Sequence, residues 1–454
     1  MKYKSINPYT LDVLQEYESL QETELKHKLE AAASTFNAWR KSSFDSRAAL
    51  MRSAARVLKD DKEGLARTIT LEMGKSLKES IAEVEKCAWA CEYYAEHAAS
   101  FLADEPVETD ASRSYVRYDP LGTILAIMPW NFPFWQVFRF AAPALMAGNV
   151  CVLKHASNVL GCALHIEEVF VKAGFPVGAF QSLIVDKGQI PTIISHPVIK
   201  AVTLTGSEGA GAAVAAKAGK NIKKTVLELG GSNAFIVLAD ADLTAAVETG
   251  VRARMQNAGQ SCIAAKRFIL HRDIAEDYIR KFSEHAAKLK VGNPMDPETD
   301  MGPLARADLV DQLEEQVNQS VEAGASVVFG GKRKDNFYYP TLLRDVKPGM
   351  PAFDEELFGP VAAATIAGDD EEALRLANNS TFGLGISVFT QSRKRAQPFI
   401  EGSEDGAVFI NGLVKSDPRL PFGGTKRSGY GRELSSYGIR EFVNIKTVWE
   451  GSEL

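Results

Sequence analysis

The sequence predicts an α/β protein built from two doubly wound domains and a small additional β layer. Three observations predict it. Short, wholly apolar runs at 123–128 and 150–153 lack a polar face, as strands of a parallel sheet covered on both sides do. Helical stretches follow them, so β and α alternate along the chain. This alternation runs to about Leu227 and restarts after Gly230, which gives two units rather than one.

Residues 22–105 read as helices, with apolar positions such as Leu25, Leu29, Ala32, Ala33 and Phe36 recurring at spacings of three and four. Asp119-Pro120-Leu121-Gly122 forms a turn before the 123–128 strand. A helix over 135–147 ends at Gly148-Asn149, the 150–153 strand follows, and a helix over 165–173 is closed by Gly174 with Pro176 beyond it. After Gly230 the pattern gives a strand at 235–238, a helix at 242–256, a turn carrying Cys262, a strand at 267–270 and a helix at 274–288. A charged helix at 307–323 precedes Val327-Val328-Phe329. Residues 113–118 and 441–449 alternate apolar and polar side chains, the pattern of half-exposed strands that can pair with another subunit.

These elements fall into three parts, 1–110 with 127–227, 228–418, and 111–126 with 432–454, which the family resemblance given below implies are a dinucleotide-binding unit, a catalytic unit and oligomerisation segments. The 454 residues are 45% hydrophobic and 24% charged, with a net charge of −6, so no basic patch points to nucleic acid. No apolar run is long enough to span a membrane. With no apolar signal region at the start, a cytoplasmic enzyme is expected. Cys87 and Cys91 lie four apart in a helical pattern without histidine or cysteine partners at zinc spacing, which indicates packing. The seven histidines show no HExxH arrangement, and no metal is expected.

Four segments carry chemistry. Cys262 is the one cysteine in a polar, glycine-containing run, Gln256-Asn257-Ala258-Gly259-Gln260-Ser261-Cys262, where a thiolate can be presented to a carbonyl. The alternative is a small buried hydrophobe. Glu228 interrupts the apolar residues around Leu227-Glu228-Leu229-Gly230-Gly231, and a buried carboxylate there acts either as a general base or as a structural acceptor at a turn. Asn131 is the single amide in the rigid wall Met128-Pro129-Trp130-Asn131-Phe132-Pro133-Phe134-Trp135, a suitable donor for an oxyanion. Leu204-Thr205-Gly206-Ser207 leads from a strand into an alanine-rich helix, the setting of a pyrophosphate site.

Taken in order, these segments resemble the aldehyde dehydrogenase superfamily. So do Asn7-Pro8, Leu153-Lys154, Glu356-Leu357-Phe358-Gly359-Pro360 and Pro421-Phe422-Gly423-Gly424. Within that family the chain is most similar to bacterial succinate semialdehyde dehydrogenases. The resemblance implies Cys262 as nucleophile, Glu228 as base and Asn131 as oxyanion donor. It implies cofactor contacts from Met128, Pro129, Trp130, Lys154, Ser157, Gly206, Ser207, Leu229, Gly230, Glu356 and Phe358, with Glu356 on the nicotinamide ribose. The glutamate implies a carboxylic acid product rather than transfer to a thiol.

Many NAD-using relatives carry a glutamate three residues after the lysine; here that position is Ser157. A hydroxyl tolerates a 2′-phosphate that a carboxylate repels, so NADP is expected, with NAD possible. For the substrate, the resemblance places a carboxylate on Arg139, with Trp135 and Phe422 lining the tunnel. The alternative for Arg139 is a helix-surface ion pair. A second family arginine is Gln256 here, and Arg419 is the expected replacement, with Ser416 adding a hydroxyl. The expected activity is NAD(P)-dependent oxidation of succinate semialdehyde by a homodimer or homotetramer. The alternatives are a general aliphatic or aromatic aldehyde dehydrogenase and a non-redox structural member of the fold.

Overall fold

The computed structural model describes residues 2–451; residues 452–454 of the expected C-terminal oligomerisation segment lie outside them. Six strands form the first sheet, in the spatial order Gly429–Tyr430, Lys224–Glu228, Ile199–Thr205, Thr123–Met128, Val150–His155 and Phe180–Ser182. All are parallel except Gly429–Tyr430, which pairs antiparallel at one edge. From Thr123–Met128 the chain builds outward to Phe180–Ser182. It then crosses back to lay Ile199–Thr205 on the other side. That reversal opens a crevice at the carboxyl ends of the central strands, where α/β sheets bind ligands.

Strand register brings the ends of these strands together: Met128 pairs with His155, Ile127 with Leu204, and Thr205 with Glu228. The strands are buried on both faces, which explains the absence of a polar stripe. The Leu77–Phe101 helix packs against the Phe44–Asp60 and Trp135–Met146 helices. Cys87 and Cys91 are buried in that packing.

The second sheet has seven strands, in the order Ser326–Phe329, Thr341–Arg344, Val361–Ala367, Ala265–His271, Asn233–Val237, Ile386–Phe389 and Val408–Ile410. The Leu243–Met255 helix leads into the Cys262 turn, which enters the Ala265–His271 strand. A three-stranded sheet joins Val443–Glu450, Arg113–Pro120 and Glu105–Pro106.

Two expected boundaries shift. The sequence pattern carries the oligomerisation segment to residue 126, but Thr123–Met128 is a central strand of the first sheet; the change of sheet occurs at Leu121-Gly122. Fully apolar residues there belong to the two-sided core, whereas the alternating residues before Leu121 do not. Glu228 was placed at the start of the catalytic unit, yet it is the last residue of a first-sheet strand.

Candidate active site

The turn that carries Cys262 is built from strained backbone. Asn257, Ala258 and Gly259 all take the left-handed conformation, with φ of 54°, 51° and 72°. Such a run persists only where its surroundings fix it. Glu79 accepts the Asn257 N–H at 2.8 Å. Arg254 is fully buried and donates to the carbonyls of Gly259 and Leu357, each at 3.1 Å, and of Gly359. Burial lowers the Arg254 pKa to about 9. One guanidinium thus fastens the turn to the Glu356-Leu357-Phe358-Gly359 loop.

Asn131 faces this turn. Its Nδ2 donates to the Gln260 carbonyl at 3.1 Å, while Asn257 Nδ2 donates to the Asn131 carbonyl at 2.8 Å. This two-way clasp leaves one Asn131 N–H for a ligand. Among the described residues no carbonyl accepts from the Cys262 N–H. Lys266, wholly buried, donates to the carbonyls of Ser261 (2.7 Å) and Cys262 (3.0 Å) and pairs with Glu356 at 3.0 Å.

Cys262 is half-buried and walls two cavities at once; Gln136 is the other residue that faces both. Burial pushes its thiol up to about 11, against the opposing pull of Arg139 and Lys266.

The first cavity, about 780 Å³, is bounded by Phe132, Trp135, Arg139, Ser416 and Phe422, with Gln256 among its lining. Arg139 is buried rather than on the helix surface. It forms an ion pair with Glu433, donates to Thr205 Oγ1 at 3.2 Å, and lies over the Phe422 ring at 4.9 Å. Trp135 Nε1 donates to Ser416 Oγ at 2.9 Å.

Arg419 does not supply the expected second cation to this cavity. Its side chain is 64% exposed, binds Asp417 through two nitrogens and lies over Trp89, outside this cavity. An aspartate two residues away captures the guanidinium.

Glu228 is 2% exposed, and neither carboxylate oxygen has a hydrogen-bond partner in the protein. Burial, reinforced by Glu433, holds its pKa well above the carboxylate range, while Arg139 and Arg432 oppose this. A buried carboxyl without protein hydrogen-bond partners is a candidate for proton transfer.

The second cavity, about 660 Å³, is walled by Pro129, Trp130, Gly206, Ser207, Glu356 and Phe358, and also meets Leu229 and Gly230. Met128 is buried at its strand end, where its carbonyl meets the His155 ring. Ser207 Oγ caps the Glu208–Lys220 helix. A Cβ on Gly230 would fall 2.7 Å from Glu356 Oε2, so glycine makes room for that carboxylate. A separate, smaller hollow is lined by Lys154, Ser157 and Lys187 and by no carboxylate.

A cavity with a helix start and the Glu356 carboxylate, and a hollow lined by two lysines, fit a phosphorylated dinucleotide. Lys187 was not anticipated, because nothing local in the sequence sets it apart from other exposed lysines. Lys266, Arg254 and Glu433 were also missed. Among the described residues no cluster of three or more His, Cys, Asp or Glu could hold a metal.

The model of the aldehyde dehydrogenase family matches residues 1–448. A Synechocystis sp. protein named a probable succinate-semialdehyde dehydrogenase, NADP(+), is 53% identical over 452 residues, covering 99% of this chain and 100% of its own. A Mycobacterium tuberculosis protein named succinate-semialdehyde dehydrogenase, NADP(+), 1 is 50% identical over 455 residues, covering 99% and 100%. The crystal structure of a Streptococcus pyogenes succinic semialdehyde dehydrogenase with NADP+ superposes with a TM-score of 0.97 at 37% identity, covering 99% of this chain and 100% of that one.

Proposed function

The chain belongs to the aldehyde dehydrogenase family, and on that premise we propose that it oxidises succinate semialdehyde to succinate, using NADP+, through a thioester on Cys262. The observation that carries the reading is the position of Cys262 at the meeting of two cavities. One suits a dinucleotide; the other is lined by the buried Arg139 guanidinium and by Lys86.

The Cys262 thiolate adds to the aldehyde carbon, forming an S–C bond and moving the carbonyl electron pair onto oxygen. The remaining Asn131 N–H and the Cys262 N–H stabilise that oxyanion. Bound NADP+ supplies the hydride acceptor. Loss of hydride restores the C=O bond as a thioester. Glu228 takes a proton from water, the resulting hydroxide adds to the thioester, and the C–S bond breaks to release the acid and the thiolate.

Lys154, Ser157 and Lys187 favour NADP+ by presenting donors and no carboxylate to a 2′-phosphate. Arg139 contributes positive charge for the substrate carboxylate, with Trp135 and Phe422 enclosing the chain between.

The subunit contact is proposed at the three-stranded sheet. Val443–Glu450 is its edge, and Ile445 (63% exposed) and Trp449 (54%) stand out from it, as an association surface would. No helix among the described residues is long and apolar enough to cross a membrane, and the cytoplasm is the proposed location.

A second reading has one observation in its favour. The first cavity, about 780 Å³, exceeds what a four-carbon substrate fills, so a medium-chain or aromatic aldehyde would also enter. The test is NAD(P)H formation across a panel of succinate semialdehyde, butanal, octanal and benzaldehyde with each cofactor. The proposal expects the highest kcat/KM for succinate semialdehyde with NADP+. A higher value for an uncharged aldehyde selects the second reading. No turnover with any of them leaves the non-redox alternative.

A further inference from the structure

Lys86 lies on the Leu77–Phe101 helix and lines the same cavity as Cys262 and Arg139. Among the described residues no carboxylate forms an ion pair with it. The acids nearest in effect, Glu83 and Asp417, are engaged with Lys75 and Arg419. Its Nζ donates to Ser416 Oγ at 2.8 Å and lies 4.1 Å from the Trp135 ring centre.

Ser416 Oγ therefore accepts twice, from Lys86 and from Trp135 Nε1. A hydroxyl has two lone pairs and one proton. Both lone pairs are used, and the described residues supply no acceptor for the proton. Lys86 has three N–H groups and the same hydrogen bond uses one. Lys86 and Ser416 consequently offer the cavity free donors, two ammonium N–H groups and one hydroxyl O–H. The cavity also holds two cations, Lys86 and Arg139, close enough that Arg139 disfavours the charge on Lys86. Two like charges in a partly dry cavity are stabilised by an anion placed between them.

We infer that Lys86, together with the Ser416 hydroxyl, binds the carboxylate of the aldehyde substrate and so determines its selection over uncharged aldehydes. Lys86 supplies the second cation that Gln256 does not provide and that Arg419, turned away, cannot. Unlike Arg139, whose charge is shared with Glu433, Lys86 has no acidic partner to give up. Its burial lowers its pKa to about 8, assisted by Arg139 and opposed by Cys87, Glu83 and Asp417. The ammonium is thus present at neutral pH and lost in the alkaline range.

The inference rests on the reading of the substrate as a carboxylate-bearing aldehyde. Its test is the ratio of kcat/KM for succinate semialdehyde to that for butanal, measured in the wild type, Lys86→Met and Lys86→Arg. Lys86→Met keeps the stem and removes the charge. It should lower the ratio by roughly 10–100-fold, through KM for the charged substrate, as loss of a charge-assisted contact does. Lys86→Arg should recover most of it. An unchanged ratio in Lys86→Met, or equal loss for both substrates, overturns the role of Lys86.

The wild type offers a check that needs no folded variant. KM for succinate semialdehyde should rise as pH passes above about 8 while KM for butanal stays level. Parallel pH profiles overturn the inference. A wild-type ratio near one overturns the substrate reading itself, before any variant is made.

Discussion

Arg139 and Glu433 form an ion pair sealed inside the protein, with side chains 2% and 4% exposed, in the electrostatic field of Glu228. Breaking a buried pair by removing one partner typically costs about 3–5 kcal/mol, because the other charge is left uncompensated. Glu433→Gln should therefore lower thermal stability. It should also shift catalysis in a definite direction. Glu433 raises the Glu228 pKa and Arg139 lowers it. Removing the Glu433 charge leaves the lowering influence, so Glu228 ionises at lower pH. The pH profile of thioester hydrolysis, followed after rapid acylation, should move its rising limb toward acid. A limb that stays in place would show that Glu433 does not act on the base. For the same reason Arg139→Ala should depress turnover of butanal as well as of succinate semialdehyde, since Glu433 loses its partner.

The Cys262 thiol, pushed up to about 11 by burial, is mostly protonated at neutral pH. The thiolate is the reactive form. Alkylation of the free enzyme by iodoacetamide at Cys262 should therefore accelerate about tenfold per pH unit from 7 to 10. Arg139 and Lys266 pull the thiol pKa down, so Lys266→Met should slow alkylation at a fixed pH. A plateau below pH 8 in the wild type would mean that the thiol is ionised far more readily than its burial implies.

Ser157→Glu places a carboxylate in the hollow beside Lys154 and Lys187. It should repel a 2′-phosphate and move the ratio of kcat/KM for NADP+ over NAD+ toward NAD+ by at least roughly tenfold, about 1.4 kcal/mol. Lys187→Ala should reduce the same ratio mainly through KM for NADP+. An unaltered ratio in both variants would place cofactor discrimination elsewhere.

The fold was legible because it depends on local pattern. Two-sided burial wrote apolar runs at 123–128 and 150–153, and half-exposed pairing wrote alternation at Arg113–Pro120 and Val443–Glu450. The candidates Cys262, Glu228 and Asn131 stand out in the sequence because each is out of character with its neighbours. What the sequence did not show were the contacts between distant segments. Arg139 meets Glu433 across 294 positions of chain, and Lys86 meets Ser416 across 330. Neither lysine nor glutamate is unusual in its own helix or loop. Arg419 misled for the opposite reason: its place beside a recognisable motif suggested a role, and the Asp417 pairing two residues away decided its direction.

The most direct test of the central claim is the fate of Cys262 in Glu228→Gln. With succinate semialdehyde and NADP+ mixed in excess, the account predicts a burst of one NADPH per active site followed by slow turnover. Peptide mass spectrometry of the quenched enzyme should find a succinyl thioester on Cys262 and on no other cysteine. Turnover at the wild-type rate with Cys262 unmodified would contradict both the covalent route and the assignment of Glu228 as the base that resolves it.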